Sequence, residues 1–174
     1  MSEQPEDDRE ESRGKRGRSP NYPSVSLEQA SKWARQIYDA EKRTPTTSLI
    51  LAQRCGFNGL SGPARSAISA LKKYGLIVDA DGDRMRVSDD ALKLFLQPDE
   101  GEKLRMLQSL ATKPQIVKDI FAAYPDGLPS METVRYHLIT QLNFTEDGAT
   151  TFLKLLNENI AFAKLDPKSR TGVL

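Results

Sequence analysis

The chain has one cysteine, Cys55, and one histidine, His137. That scarcity removes several chemistries at once. One cysteine excludes an internal disulfide framework and suits a reducing cytosol, so a cytoplasmic location is expected. A structural zinc site takes about four N or S ligands, which two such residues cannot supply. A Cys–His nucleophilic pair remains formally open. However, Cys55 falls on the apolar side of its helical pattern and reads as a small core residue. His137 belongs to the other half of the chain and reads as a helix-surface or hydrogen-bonded histidine. A Walker-type Gly-rich loop is missing. No apolar run approaches a membrane span, and there is no signal-peptide h-region. Asp79, Asp81 and Asp83 resemble the start of a calcium loop, yet Gly82 falls between the second and third acids and the distal Glu is missing. They read better as a solvated hairpin tip. The expectation is a chain without metal, cofactor, membrane partner or catalytic residue.

What is present is organised around Leu51 to Ser88. Ala64, Ala67, Ile68, Leu71 and Tyr74 recur with helical spacing and make one apolar stripe over a helix from Ser61 to Tyr74. Pro63 suits a first turn, and Ser61 or Gly62 can cap it. Gly75 sits where a helix commonly ends in the left-handed region, which lets Leu76 meet Leu71. The opposite face carries Arg65, Ser66, Ser69, Lys72 and Lys73, with no acid. Taken alone, such a face is more often simply solvated. Before this helix, Leu51-Ala52-x-x-Cys55-Gly56-Phe57 spaces a small residue and a turning Gly as two tightly packed helices require. After it, Leu76-Ile77-Val78 reads as a strand, Asp81-Gly82 as a two-residue turn, and Arg84-Met85-Arg86-Val87 as a half-buried return strand.

Helix, turn, helix and then a hairpin resembles the winged helix-turn-helix superfamily, over about Leu27 to Gln97. The resemblance implies binding of double-stranded DNA, with the helix Ser61 to Tyr74 in the major groove. Arg65 is then the base-reading candidate, because its fork can pair with a guanine edge. Ser61, Ser66 and Ser69 hold register, and Lys72 and Lys73 contact phosphates, as does Arg84 or Arg86. A possible transcriptional regulator is implied. The three aspartates at the wing tip count against this, since they would repel phosphates. Either the wing stands away from the DNA, or the same scaffold serves as a protein–protein interaction module.

The rest of the chain is arranged around this unit. Residues 1–19 form a charged tail expected to be disordered, acidic from Glu3 to Glu11 and basic from Arg13 to Arg18. It reads as a solvating tail in preference to a DNA-touching arm. Ser26, with Gln29, caps a first helix through Leu27, Ala30, Ala34, Ile37 and Tyr38. Trp33 on its flank reads as packing. Thr44-Pro45-Thr46 stops that helix and starts the next. Ser88 caps a helix that Gln97-Pro98-Asp99 ends, which sets units at 20–98 and 99–174. The expected core comprises Leu27, Ala34, Ile37, Leu51, Cys55, Phe57, Ile68, Leu71, Val78 and Val87.

The second unit holds helices from Glu100 to Ala111, from Pro114, from Ser130 and from Thr145, then a short strand from Ile160 to Leu165 and a frayed tail after Asp166. Leu142-Asn143-Phe144 falls where Cys55-Gly56-Phe57 does. Ala149, Phe152, Leu153 and Leu156 match Ala64, Ala67, Ile68 and Leu71, and Asn159-Ile160 echoes Gly75-Leu76. Its helix carries Glu146, Asp147 and Glu158 where phosphates would sit, so this copy reads as a degenerate winged helix used for packing, self-association or a protein partner. Residues 20–98 hold eleven Lys/Arg against eight Asp/Glu, and 99–174 nine against ten. That favours the first unit as the nucleic-acid face. Tyr22-Pro23-Ser24, Ala70-Leu71-Lys72-Lys73-Tyr74-Gly75-Leu76 and Ile160-Ala161-Phe162-Ala163-Lys164-Leu165 are also similar to a group of uncharacterised bacterial tandem winged-helix proteins, which implies the fold and no activity. The fold class expected is therefore mainly α, with a small β-hairpin wing, in two tandem units.

Overall fold

The structure, a computed structural model, describes residues 20–165. Both terminal tails expected from the sequence lie outside them. The first helix, α1 (Leu27–Glu41), starts where Ser26 Oγ accepts the Gln29 N–H, and it buries Leu27, Ala30, Ala34 and Ile37. A two-residue strand, β1 (Thr46–Thr47), precedes α2 (Ser48–Arg54), whose cap is Thr47. Two residues give no periodicity, so the sequence shows only a break there. Gly56, at φ 91°, turns the chain, and the Phe57 N–H returns to the Ala52 carbonyl at 3.0 Å.

Helix α3 (Gly62–Lys73) is capped by Ser61 Oγ, with Pro63 in its first turn. It ends in a Schellman motif: the Leu76 N–H reaches the Leu71 carbonyl and the Gly75 N–H the Lys72 carbonyl, both at 2.9 Å. Gly75 is at φ 73°, and a Cβ there would also collide with the Lys113 side chain. The hairpin follows as β2 (Ile77–Asp79) and β3 (Arg84–Val87), with Gly82 at φ 67° in the turn. The antiparallel sheet has the order β1-β3-β2. Ile77 faces the core opposite Val87, so period-two alternation turns Val78, opposite Arg86, toward the other face. Val78 is therefore half-buried instead of core. Phe57 is half-buried too, tilted against Trp33 at 5.8 Å. The other eight expected core residues are buried.

Ser88 caps α4 (Asp89–Leu96), and its own hydroxyl donates to the Gly75 carbonyl at 2.6 Å. Then come α5 (Glu100–Ala111), α6 (Gln115–Ala123), α7 (Met131–Gln141) and α8 (Glu146–Phe162). The molecule is mainly helical, with one small sheet among the described residues. One buried cluster gathers α1 to α4 with Leu110, Ala111 and Ala163; the other gathers Ile116, Ile120, Leu138, Phe144, Phe152 and Leu156 with their neighbours.

The expected strand from Ile160 to Leu165 is not formed. Ile160, Ala161 and Phe162 continue α8, which runs for 17 residues. Its end repeats the Schellman pattern without a glycine: Leu165 N–H to Ile160 carbonyl at 2.9 Å, Lys164 N–H to Ala161 carbonyl at 3.4 Å, and Lys164 at φ 49°. This end of α8, at Lys164-Leu165, lies five residues beyond Asn159-Ile160, where the sequence suggests it.

Candidate nucleic-acid interface on α3

Side chains at positions 65, 69 and 72 share one stripe of α3, and those at 66 and 73 lie beside it, by helical spacing. The structure gives the two sets different surroundings. Arg65, in the first turn, is exposed, and among the described residues its guanidinium has no hydrogen-bond or ionic partner. Ser61 is exposed with its oxygen committed to the Ala64 N–H at 3.3 Å. Ser69 is half-buried. Lys72 reaches Asp79 on β2, with Nζ at 2.8 and 3.1 Å from the two carboxylate oxygens.

The second set meets the leading segment of the chain. The Ser24 hydroxyl donates to the Ser66 carbonyl at 3.2 Å. Lys73 Nζ donates to the Tyr22 carbonyl at 3.0 Å, and burial lowers its pKa. Tyr22 itself stacks on Phe144 at 5.7 Å and meets Phe152 edge-on at 5.4 Å. The face that reads from the sequence as one basic surface is therefore divided, with Lys72 tied to the hairpin and Lys73 turned toward Tyr22.

On β3, Arg84 and Arg86 project away from the buried Met85 and Val87. Arg84 is exposed and donates to the Asp81 carbonyl at 3.2 Å. Arg86 is half-buried, bonded to the Val87 carbonyl at 3.0 Å and to Asp89 at 3.4 Å. Asp81 and Asp83 are exposed at the tip, and Asp79 faces back to Lys72. An open groove of about 760 Å³ lies between α2, α3 and the hairpin, lined by Leu49, Leu60, Met85, Asp79 and Asp83 among others.

Other reactive groups stand elsewhere. Burial pushes the Cys55 thiol up to about 11. His137 Nδ1 lies 3.1 Å from the Tyr124 hydroxyl. Among the described residues, no three His, Cys, Asp or Glu side chains converge on a metal-sized site, and no helix is long and apolar enough to cross a membrane.

Sequence reasoning alone misses Asn159. Its position in an α8 stripe of Phe152, Leu155, Leu156 and Ile160 is the available signal, because a polar residue inside an apolar stripe needs partners. Asn159 Oδ1 accepts the Leu27 N–H at 2.8 Å and its Nδ2 donates to the Tyr74 hydroxyl, which donates in turn to the Val25 carbonyl at 2.9 Å. This network seats the end of α3 and the start of α1 on α8. Comparison with family models, curated proteins and solved structures finds no match for the chain.

Proposed function

We propose that the chain is a non-enzymatic, double-stranded DNA-binding protein of the winged helix-turn-helix type, with α3 as the helix that enters the major groove. The order helix, strand, helix, helix and hairpin, with a three-stranded sheet beside α3, supports the type. The observation that carries the reading is Arg65. It is an exposed guanidinium, unpaired among the described residues, in the first turn of a capped helix, where groove-bound helices place base-contacting side chains. Its fork suits a guanine edge. Arg84 supplies a second exposed cation on the hairpin. Lys72 is held in reserve, since its exposed pair with Asp79 is weak enough to be exchanged for a phosphate. The α5–α8 half serves as a degenerate second unit, with Glu146 and Asp147 in the first turn of α8 keeping phosphates away.

Titration of random and selected duplexes at two salt concentrations tests this. Binding should weaken steeply with salt. Arg65→Ala should cost about 1–3 kcal/mol and relax preference at one base position, with folding intact. A protein that binds no duplex at low salt ends the DNA reading. Leu49, 44% exposed and lining the groove between α2, α3 and the hairpin, favours protein docking as the second reading, and Tyr136, 70% exposed on α7, would serve a partner or self-association through the second half.

A further inference from the structure

Lys73 differs from its neighbour Lys72 in what it meets. Lys72 faces the Asp79 carboxylate. Lys73 Nζ donates to the Tyr22 carbonyl at 3.0 Å in a part-buried setting, and no acid pairs with it among the described residues. Partial burial disfavours its charge and lowers its pKa. A carbonyl offers that cation a hydrogen bond without a countercharge, whereas a phosphate oxygen offers both. A phosphate is therefore the better partner for Lys73, and the Tyr22 carbonyl takes its place.

That carbonyl belongs to a strap, Asn21 to Val25, which runs along the margin of α3 into the start of α1. The strap is fixed at both ends. At its root, the Tyr74 hydroxyl donates to the Val25 carbonyl at 2.9 Å, and Asn159 Oδ1 accepts the Leu27 N–H at 2.8 Å. At its outer end, the Tyr22 ring stacks on Phe144 and meets Phe152 edge-on, both in the second half of the chain. Between the ends, the exposed Ser24 hydroxyl donates to the Ser66 carbonyl at 3.2 Å. Pro23 has a fixed φ and biases Tyr22 to extended backbone, so the ring and the carbonyl of Tyr22 move together. The two hydrogen bonds that Ser24 and Tyr22 make with α3 can be replaced by water or phosphate. What keeps the strap against Lys73 is the Tyr22 ring, seated in the other half of the molecule.

We propose that the strap from Asn21 to Val25 is an autoinhibitory contact, which withholds Lys73 from the duplex until Tyr22 leaves Phe144 and Phe152. This rests on the DNA reading above and adds regulation to the same site. Release leaves the root bonds of Val25 and Leu27 in place, so α1 stays docked while Lys73 gains a phosphate. The seat of Tyr22 thereby couples the second half of the chain to α3.

The test titrates a random-sequence duplex with the full chain by fluorescence anisotropy across a salt series. Lys73→Gln in the intact chain should leave the slope of log affinity against log salt unchanged, because a withheld cation neutralises no phosphate. Tyr22→Ala should steepen the slope by about 0.9, one further phosphate, and adding Lys73→Gln to it should abolish that gain. Ser24→Gly is an exposed change that opens the strap away from its aromatic anchor. It should steepen the slope in the same direction, and it decides the matter if Tyr22→Ala does not fold. Lys118→Gln, exposed on α6, should leave the slope alone. Three results overturn the strap proposal while the DNA reading stands: a slope shallower by about 0.9 in Lys73→Gln alone, no steepening in any folded strap variant, or a steepening that survives Lys73→Gln. A full chain that binds no duplex overturns both.

Discussion

Asn159 and Tyr74 are 85 positions apart in the chain, yet the Asn159 Nδ2 donates to the Tyr74 hydroxyl at 2.8 Å in a buried setting. The other end of the same amide accepts the Leu27 N–H, one of the donors that a helix start leaves without an intrahelical partner. One side chain thus serves the first turn of α1 and the last turn of α3.

Asn159→Ala leaves the buried Leu27 N–H without its acceptor and removes a bond to Tyr74. Each buried polar group left unpaired costs about 1–3 kcal/mol, so a loss of about 2–4 kcal/mol is expected in urea unfolding. A loss below about half a kcal/mol, the usual size of a neutral surface change, would show that water replaces the amide.

Lys164→Gly should act the other way. Lys164 holds the left-handed position of a Schellman cap, where a Cβ is strained and glycine is not. The side chain is exposed, so its removal uncovers little apolar surface. A gain of up to about 1 kcal/mol in unfolding free energy is expected, and a loss would mean that the lysine chain does more at the cap than its backbone suggests.

Alkali should weaken the fold through Tyr74. Burial pushes its hydroxyl up to about 12, above an ordinary value of 10.0, with the Asn159 bond opposing and Glu158 reinforcing the shift. The folded state then holds this proton more tightly than the unfolded state does. Its contribution is full below pH 10 and is lost as pH rises from 10 through about 12. Cys55, raised from 9.0 to about 11, acts with the same sign over a window starting one unit lower. Urea midpoints measured from pH 8 upward should hold steady and then fall, while in Tyr74→Phe the later part of the fall should shrink.

Asp79→Asn should strengthen duplex binding. The change removes the acid that holds Lys72 and takes one negative charge from the hairpin. The salt slope should steepen by about one unit as Lys72 becomes available to a phosphate. Stability should change by less than about 1 kcal/mol, because the pair is exposed. Unchanged duplex affinity would remove Lys72 from the interface.

Much of the first half is legible in residue spacing. The apolar stripe from Ala64 to Tyr74 locates α3 and Gly75 marks its end; Asp81-Gly82 locates the hairpin turn but not its length, since Ala80 pairs with Arg84 and three residues, Asp81 to Asp83, form the turn instead of two. Those signals are local, and local backbone preference decides them. The misses share a different origin. Thr46-Thr47 becomes a strand only because β3 is beside it. Lys164 takes a position that glycine usually announces, so spacing alone ends α8 too soon. Lys72 and Lys73 look equivalent until Asp79 and Tyr22, seven and 51 positions away, are in place. Arg65 keeps the exposure that its spacing predicts, since no described residue at a distance reaches it.

Thr47 belongs to two elements at once. Its backbone lies opposite Arg84 in the sheet, and its hydroxyl accepts the Ile50 N–H at 3.4 Å to start α2. The hairpin is consequently geared to α2 at its outer edge, while its link to α3 through Lys72 and Asp79 is an exposed, exchangeable pair. A load that tilts the hairpin is passed on as a torque on α2, whose Leu51 and Ala52 are wholly buried. Displacement of the tip is thereby felt at the core through α2.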